Sequence, residues 1–204
     1  MKLFGKLFSF FLPNPSTLDA QAAYAGIMQQ ARAPQLYGAH GAPDNFDGRF
    51  DILALHIHFV LRRLRTQASR QPPDAAFDAA FGQALFDTFF ADMDQAMRES
   101  GVGDLGVSKK IRKMAQAFYG RAQAYDIALD NASDNTMDNA PTLKDILARN
   151  LFPDAVAEHD MAVTYLAAYA LRLEAYLCET VLENIIKGRA FPAAHIFPPD
   201  ILDA

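Results

Sequence analysis

Apolar residues recur every three or four positions along most of the chain, which is the spacing of amphipathic α-helices. Residues 16 to 31 form one such run, which opens with an S-x-x-D capping pattern and is followed by Pro34. A second run begins at Asp47, which we expect to cap a helix, and ends in the basic segment 62–70. Cations at that end suit the negative pole of a helix. This part of the chain therefore predicts two helices.

The same spacing predicts two long helices in the middle of the chain. One runs from about Ala75 to Ser100 and carries two apolar stripes, and the next runs from Ser108 to about Asp130. Two stripes are typical of a helix that is buried on most sides or that keeps one face for a partner.

The remainder of the chain is predicted to be helical as well. A second capping pattern at Thr142 begins a short helix that ends near Asn150, and residues 152–154 open a long helical run to Lys187, closed by Gly188. No segment alternates between apolar and polar residues as a half-buried strand does. The sequence thus predicts an all-α fold with no sheet, built of about five main helices plus a short one.

A glycine-rich stretch between the two middle helices has the spacing of a dinucleotide-binding loop, G-x-G-x-x-G, at Gly101, Gly103 and Gly106. That fingerprint requires a strand before the loop, whereas the preceding segment here has helical periodicity. Gly101 stands where a helix favours a left-handed residue just past its end, and Ser108 stands where the next helix favours an N-cap. We therefore predict a turn between two helices and no nucleotide site.

Charge around this turn raises a separate question. Acidic residues precede it, whereas Lys109, Lys110, Arg112 and Lys113 would fall in the first turns of the following helix. Exposed cations near a helix N-terminus are unfavourable by roughly 0.3–1 kcal/mol each. Either the acidic side chains offset them in an internal network, or the charges form a surface for a protein partner or an anion.

Composition narrows the class of protein. The chain has 204 residues, so we expect one domain. Its net charge is −5, and we expect no DNA partner because an acidic chain neutralises phosphates poorly. The single cysteine, Cys178, excludes an intramolecular disulfide and a thiolate zinc site, and its apolar surroundings in sequence predict a buried structural thiol. No uncharged apolar run is long enough to cross a bilayer.

The candidate catalytic side chains are not predicted to point toward one another. His56 and His58 are two residues apart on a predicted helix, as are Asp92 and Asp94, so the members of each pair point in different directions. We expect His56 to lie in the core or against another subunit. The sequence has no nucleophile elbow, P-loop or E-x-x-H pair, so we predict no catalytic site, no metal, no cofactor and no enzymatic activity.

The amino terminus differs from the rest of the chain. Residues 1–14 combine two lysines with bulky apolar residues and form a predicted amphipathic arm, followed by a helical domain at 15–190 and a proline-containing tail at 191–204. Three interpretations of the arm remain open: it lies at a membrane surface, it folds back on the core, or it is a cleaved signal. The residues that would touch a membrane are Leu3, Phe4, Leu7, Phe8 and Phe11.

Long segments of the chain resemble the ubiquinol–cytochrome c reductase chaperone family. The segments that carry the resemblance are "PDNFDGRFDILALHIHFVLRRL" (43–64), "QALFDTFFADMDQAMRESGVGDLGVSKKIRKMAQAFYGR" (83–121) and "RNLF" (149–152). The resemblance implies an assembly factor for respiratory complex III that binds newly made cytochrome b or another assembly component, without catalysis. It also implies a place near the ribosome exit region and a cytoplasmic, peripheral position at the inner membrane.

The resemblance suggests which side chains would meet a partner. The candidate partner face consists of charged residues around the turn and on the flanking helices: Arg49, Asp92, Asp94, Arg98, Glu99, Asp104, Lys109, Lys110, Lys113 and Arg121. An apolar client groove could be lined by Phe86, Phe90, Met93 and Met97, and the alternative for these four is ordinary core packing.

Two other functions remain open at this point. A helical carrier or enzyme for a lipid or quinone would require a deep apolar pocket, which we would look for among Tyr165, Tyr169 and Tyr176. The other function is that of an interaction module unrelated to complex III.

Overall fold

The computed structural model describes residues 15–70, 75–134, 141–154 and 156–198. The predicted arm at 1–14 lies outside the described residues. The helices are α1 (Pro15–Ala31), α2 (Phe46–Arg70), α3 (Ala75–Glu99), α4 (Asp104–Asp134), α5 (Leu143–Leu151), α6 (Asp160–Glu179) and α7 (Leu182–Ile186). Short 3₁₀ turns occupy Pro34–Leu36, Val156–His159 and Ala194–Ile196. Within the described ranges there is no strand, only an isolated bridge between Tyr37 and Ala42, so the all-α prediction is confirmed.

Helix α2 is the centre of the bundle. Every residue from 51 to 60 is buried, because α1, α3, α4, α5 and α6 all contact this helix. A helix that is enclosed on all sides normally carries apolar residues all round. Three polar residues in this stretch, Asp51, His56 and His58, are therefore unusual, and their partners decide what each of them does.

Two helices begin earlier than the sequence pattern predicted. Asn45, not Asp47, caps α2, since its Oδ1 accepts a hydrogen bond from the backbone N–H of Gly48 at 2.9 Å. Asp47 lies in the first turn of α2, where a carboxylate suits the positive end of the helix dipole. Helix α4 begins at Asp104, so Ser108 is an ordinary second-turn residue and the prediction that it caps this helix is wrong.

The carboxy-terminal helices were predicted in part. Thr142 and Asp145 form the predicted capping box at the start of α5. The long run expected to reach Lys187 is instead divided, because Thr180 adopts an extended conformation and α6 ends there. Gly188 has φ +69°, and a Cβ at this position would lie 2.2 Å from the Ala22 carbonyl oxygen of α1. Only glycine allows the chain to turn so close to α1.

Part of the segment expected to form a tail packs on the helical domain. Phe191, Ala193 and Ile196 are buried, and the Ala193 N–H donates to Gln30 Oε1 at 2.8 Å. Cys178 also differs from its prediction, because it lies on the outer side of α6 and is exposed, while its neighbour Leu177 is buried.

Candidate partner-binding surfaces

The turn between α3 and α4 is a Schellman motif. The Val102 N–H donates to the Met97 carbonyl at 3.1 Å and the Gly101 N–H donates to the Arg98 carbonyl at 3.0 Å, and Gly101 has φ +83°. The Val107 N–H then donates to the Gly103 carbonyl at 3.0 Å, which begins α4. The amides of Gly101 and Val102 are thus engaged in the turn itself, as expected for a helical hairpin rather than a phosphate loop.

Arg98 joins the two sides of this turn. Its Nε donates to Asp94 Oδ2 at 2.5 Å and its Nη1 donates to Asp104 Oδ1. Asp104 also lies in the first turn of α4, where its charge suits the helix dipole. Three of the predicted partner-face residues therefore pair with one another, as in the internal network considered from the sequence.

The lysines of α4 are arranged differently. Lys109, Lys110 and Lys113 are exposed, as is Arg112, and none has an ion pair with a carboxylate among the described residues. The helix begins at Asp104, so these cations start in the second turn, beyond the reach of most of the dipole effect. The expected electrostatic conflict is therefore absent, and the charges of the three lysines are not balanced by an ion pair among the described residues.

Three other members of the predicted face line one cavity. Arg49, Asp92 and Glu99 meet around a space of about 270 Å³ between α1, α2 and α3. Asp92 accepts a hydrogen bond from the Tyr24 hydroxyl at 2.7 Å, and burial together with this bond raises the pKa of Tyr24. Arg49 binds Asp44 at 2.6 Å. No lysine of α4 lines this cavity.

The four residues proposed for an apolar groove do not line a single groove. Met93 and Met97 are buried, at 8% and 3% exposure, and Met93 lines the cavity between α1, α2 and α3. Phe86 and Phe90 are half-buried on α3, with their ring centroids 4.6 Å apart. The ring centroid of Phe86 also lies 5.5 Å from that of Tyr119 of α4, and Tyr119 is 61% exposed. We call Phe86, Phe90, Phe118 and Tyr119 the aromatic patch.

A second cavity lies beside the aromatic patch. It measures about 320 Å³, and its walls are mainly apolar side chains of α2, α3 and α4, including Leu61, Leu64 and Phe118. His58 lines it from α2 and is 1% exposed, with Nε2 at 3.3 Å from Asp126 Oδ1. Burial would raise the pKa of Asp126, but contacts with His58 and Arg62 outweigh it and lower that pKa. The sequence pattern did not predict this cavity.

Arg62 of α2 makes ion pairs with both α4 and α6. Its guanidinium contacts Asp126 at 2.9 Å and Asp130 at 2.6 Å on α4, and Glu174 at 3.0 Å on α6. Sequence reasoning missed this cluster because its members are far apart in the chain and each looks like an ordinary surface charge.

A third cavity, about 400 Å³ in volume, lies where the start of α2 meets α4 and the end of α5. We call it the polar cleft; Asp51, Lys113, Arg121 and Asn150 line it. Arg121 Nη2 lies 2.8 Å from Asp51 Oδ1. Burial raises the pKa of Asp51 to about 6, against the opposing charge of Arg121.

The remaining candidates for chemistry serve the core. His56 Nδ1 donates to the Ile52 carbonyl at 2.7 Å, so Nε2 accepts from the Tyr169 hydroxyl at 2.7 Å. Burial lowers the pKa of His56 to about 4, which keeps the ring neutral at pH 7. The hydroxyl of Tyr176 donates to the Ala190 carbonyl at 2.6 Å, and Tyr165 is buried. These tyrosines therefore pack the core, and the cavities described above lie elsewhere.

The described part of the chain contains no group of three or more histidine, cysteine or acidic residues placed to hold a metal. None of the helices described is long and apolar enough to cross a bilayer. The fold and its surfaces thus define a helical bundle that presents charged and aromatic surfaces together with several clefts.

The chain belongs to the ubiquinol-cytochrome C chaperone family, whose model matches residues 38–193. The fold is also similar to the crystal structure of the Cbp3 homolog from Brucella abortus, with 33% identity, a TM-score of 0.68 and 92% of each chain covered. A search of curated proteins gives no match. The expected family is confirmed.

Proposed function

We propose that this protein is an assembly chaperone that binds newly made cytochrome b and promotes assembly of ubiquinol–cytochrome c reductase at the membrane. The observation that carries the proposal is the match of the chaperone family across residues 38–193, on a fold shared with a Cbp3 homolog. We further propose that the protein acts by binding and not as an enzyme, in the cytoplasm at the inner membrane surface.

The surfaces support a binding role for an apolar, partly charged client. The aromatic patch exposes Tyr119 beside half-buried Phe86, and aromatic side chains contribute much of the binding energy at protein interfaces. The α4 lysines add positive charge on the helix that carries Tyr119. This charge would steer an acidic segment toward that helix. A client with apolar helices and short polar connections would engage both features.

Deletion of the gene, followed by measurement of heme and assembled subunits in membranes, tests the proposal. We expect loss of cytochrome b heme and of assembled complex III, with restoration by the gene supplied in trans. Normal levels of assembled complex III in the deletion strain would contradict the proposal.

One observation favours a second candidate function, a lipid- or quinone-binding carrier. The cavity of about 320 Å³ beside the aromatic patch is mainly apolar and has buried His58 in its lining, which is the usual composition of a small-molecule site. Mass spectrometry of the natively purified protein separates the two functions. A bound lipid or quinone that is absent from a cavity-filling Gly82→Leu variant would favour the carrier.

A further inference from the structure

The outer face of α1 is exposed but carries no charge. The only charged residue in this helix is Asp19, and its side chain is 18% exposed. Within residues 17–31 the exposed residues are Leu18, Gln21, Ala22, Ala25 and Gln29. A surface helix of a globular protein usually presents charged side chains to solvent. The uncharged face of α1, with Leu18 51% exposed, therefore indicates a surface that another segment covers.

This face borders a groove between α1 and α3. Two cavities of about 470 and 270 Å³ share Met28 and Arg32 of α1 and Asp92 of α3, so they form one continuous groove. Ala25 lines the first cavity and Met93 lines the second. We call these two cavities together the α1–α3 groove. Methionine side chains adapt to the shape of an apolar partner, so the groove offers apolar contacts to a segment that lies along it.

The lining of the α1–α3 groove has an excess of negative charge. Asp92 and Glu99 line it, and neither has an ion pair among the described residues. Of the two arginines in the lining, Arg49 is paired with Asp44 at 2.6 Å. This leaves Arg32 as the cation of the lining without an ion pair in the described part of the chain. An occupant that carries positive charge and no negative charge matches this lining.

We propose that the α1–α3 groove is the docking site of the chain's own amino-terminal arm, through residues 3–12. Residues 1–14 contain two lysines and no acidic residue, which complements the charge of the groove. Leu3, Phe4, Leu7 and Phe8 recur at steps of three and four, so they would form one apolar face. That face would cover the uncharged face of α1 and contact the methionines of the groove.

The arm joins the helical domain at a place from which it can reach the groove. It is continuous with α1 at Pro15, and Ala25 and Met28 lie about 15 and 20 Å further along that helix. Twelve residues span about 18 Å as a helix and about 40 Å when fully extended, so either conformation is long enough. Because the arm is tethered, its effective concentration at the groove is on the order of millimolar, which favours it over a free segment of similar affinity.

Docking in the groove and binding to a membrane use the same side chains of the arm. Phe4 and Phe8 cannot contact Met28 and a bilayer at the same time, so the two positions of the arm compete in one equilibrium. Entry of the arm into a membrane uncovers the groove, which confines access to the groove to protein at the membrane surface. Docking of the arm does not depend on the proposed chaperone function.

Disulfide formation in the full-length protein tests the docking. Cys178, the single cysteine, is replaced by serine, and Ser9→Cys is introduced into the arm. The second cysteine is Ala25→Cys in the groove or, as the control, Gln83→Cys, which is also exposed and lines the cavity beside the aromatic patch. In a glutathione redox buffer, the effective concentration of the two thiols should be about tenfold higher with Ala25→Cys than with Gln83→Cys.

Two results of this experiment would overturn the proposal. Equal effective concentrations at the two positions would mean that the arm does not dock in the groove. A higher value with Gln83→Cys would place the arm at the aromatic patch instead.

Vesicles test the competition between the groove and a membrane. Vesicles that contain phosphatidylglycerol should lower the effective concentration at Ala25→Cys by about tenfold, because the lysines of the arm favour anionic lipid. Vesicles of phosphatidylcholine alone should lower it by less than about twofold. No decrease with the anionic vesicles would overturn the exchange between groove and membrane.

Met28→Asp tests the apolar contact from the side of the groove, because it places a charge where the two cavities meet. It should lower the effective concentration at Ala25→Cys by about tenfold. Met161→Asp, the same change at a methionine of α6 that is 61% exposed, should stay within about twofold of the parent protein. If Met28→Asp does not fold, Phe4→Asp decides, since it changes no residue of the helical domain. An unchanged value in Phe4→Asp would refute apolar docking of the arm.

Discussion

Asp51 of α2 and Arg121 of α4 form an ion pair inside the bundle, with Arg121 Nη2 2.8 Å from Asp51 Oδ1. The two residues are widely separated in the sequence, and each belongs to a segment that resembles the chaperone family. Burial nevertheless raises the pKa of Asp51 to about 6, since the charge of one arginine does not replace the lost hydration of the carboxylate.

This pair predicts how stability changes with pH. Asp51 has a higher pKa in the folded state than its ordinary 3.8, so its contribution to stability falls as the pH rises from about 4 through about 6. Asp51→Asn lacks this ionisation. The free energy of unfolding of the variant, minus that of wild type, should therefore increase by about 2–3 kcal/mol between those limits.

Urea titrations at several pH values provide the measurement. His56 has the opposite effect in wild type, because its lowered pKa makes the folded state gain stability as the pH rises from about 4 toward 6.5. That effect is common to both proteins and cancels in the difference. A difference that does not change with pH would mean that the pKa of Asp51 is the same in the folded and unfolded states.

Replacement by alanine should have opposite effects on stability at Gly101 and at Gly120. Gly101→Ala should destabilise the protein by roughly 1–2 kcal/mol, because alanine is strained at φ +83° even though its Cβ would meet no atom within 4 Å. Gly120→Ala, inside α4 and equally open, should stabilise it by roughly 0.5–1 kcal/mol. Denaturant unfolding measures both, and equal signs would contradict the assigned conformation of Gly101.

These two sites show what the sequence can predict. A glycine after a helical run indicates a left-handed end, so Gly101 and the hairpin were predicted from local chemistry. The start of α4 was not, because Ser108 has the right chemistry for an N-cap but Asp104 can begin the helix earlier, directly after the turn. Where two local signals compete, only the packed structure decides between them.

The candidate sites were harder to predict than the helices. The sequence predicted a single group of charges near the turn. The structure divides them among the ion pairs that Arg98 makes, a cavity lined by Asp92, and the exposed α4 lysines. Periodicity gave no sign that Asp51 and Asn150 line one cavity, since this depends on how α2, α4 and α5 pack. A single sequence does not indicate which polar residues come together through long-range packing.

The amino-terminal arm provides a prediction that stands on the sequence alone. Lysines among bulky apolar residues favour an interfacial position on anionic bilayers. Full-length protein should float with liposomes that contain an anionic lipid, and a variant that lacks residues 1–12 should not. Phe4→Asp/Phe8→Asp, which keeps the length of the arm, should behave like the truncation. Equal flotation of all three proteins would remove the membrane role.

The α4 lysines allow the partner face to be separated from the stability of the fold. Lys109→Glu/Lys110→Glu should leave the unfolding free energy within about 0.5 kcal/mol of wild type, because both side chains are exposed and have no ion pair among the described residues.

The same variant should lose its client. Reversal of two charges at an interface replaces attraction by repulsion, so co-isolation of cytochrome b and the level of assembled complex III should fall by about tenfold or more. Arg149→Glu/Arg189→Glu is the matched control, because it makes the same change of charge at exposed positions outside α4. If both double variants restore complex III equally well in the deletion strain, the lysines are not part of the partner face. If only the lysine variant fails while its melting curve matches wild type, the loss comes from binding, since a destabilised fold would have shifted the transition.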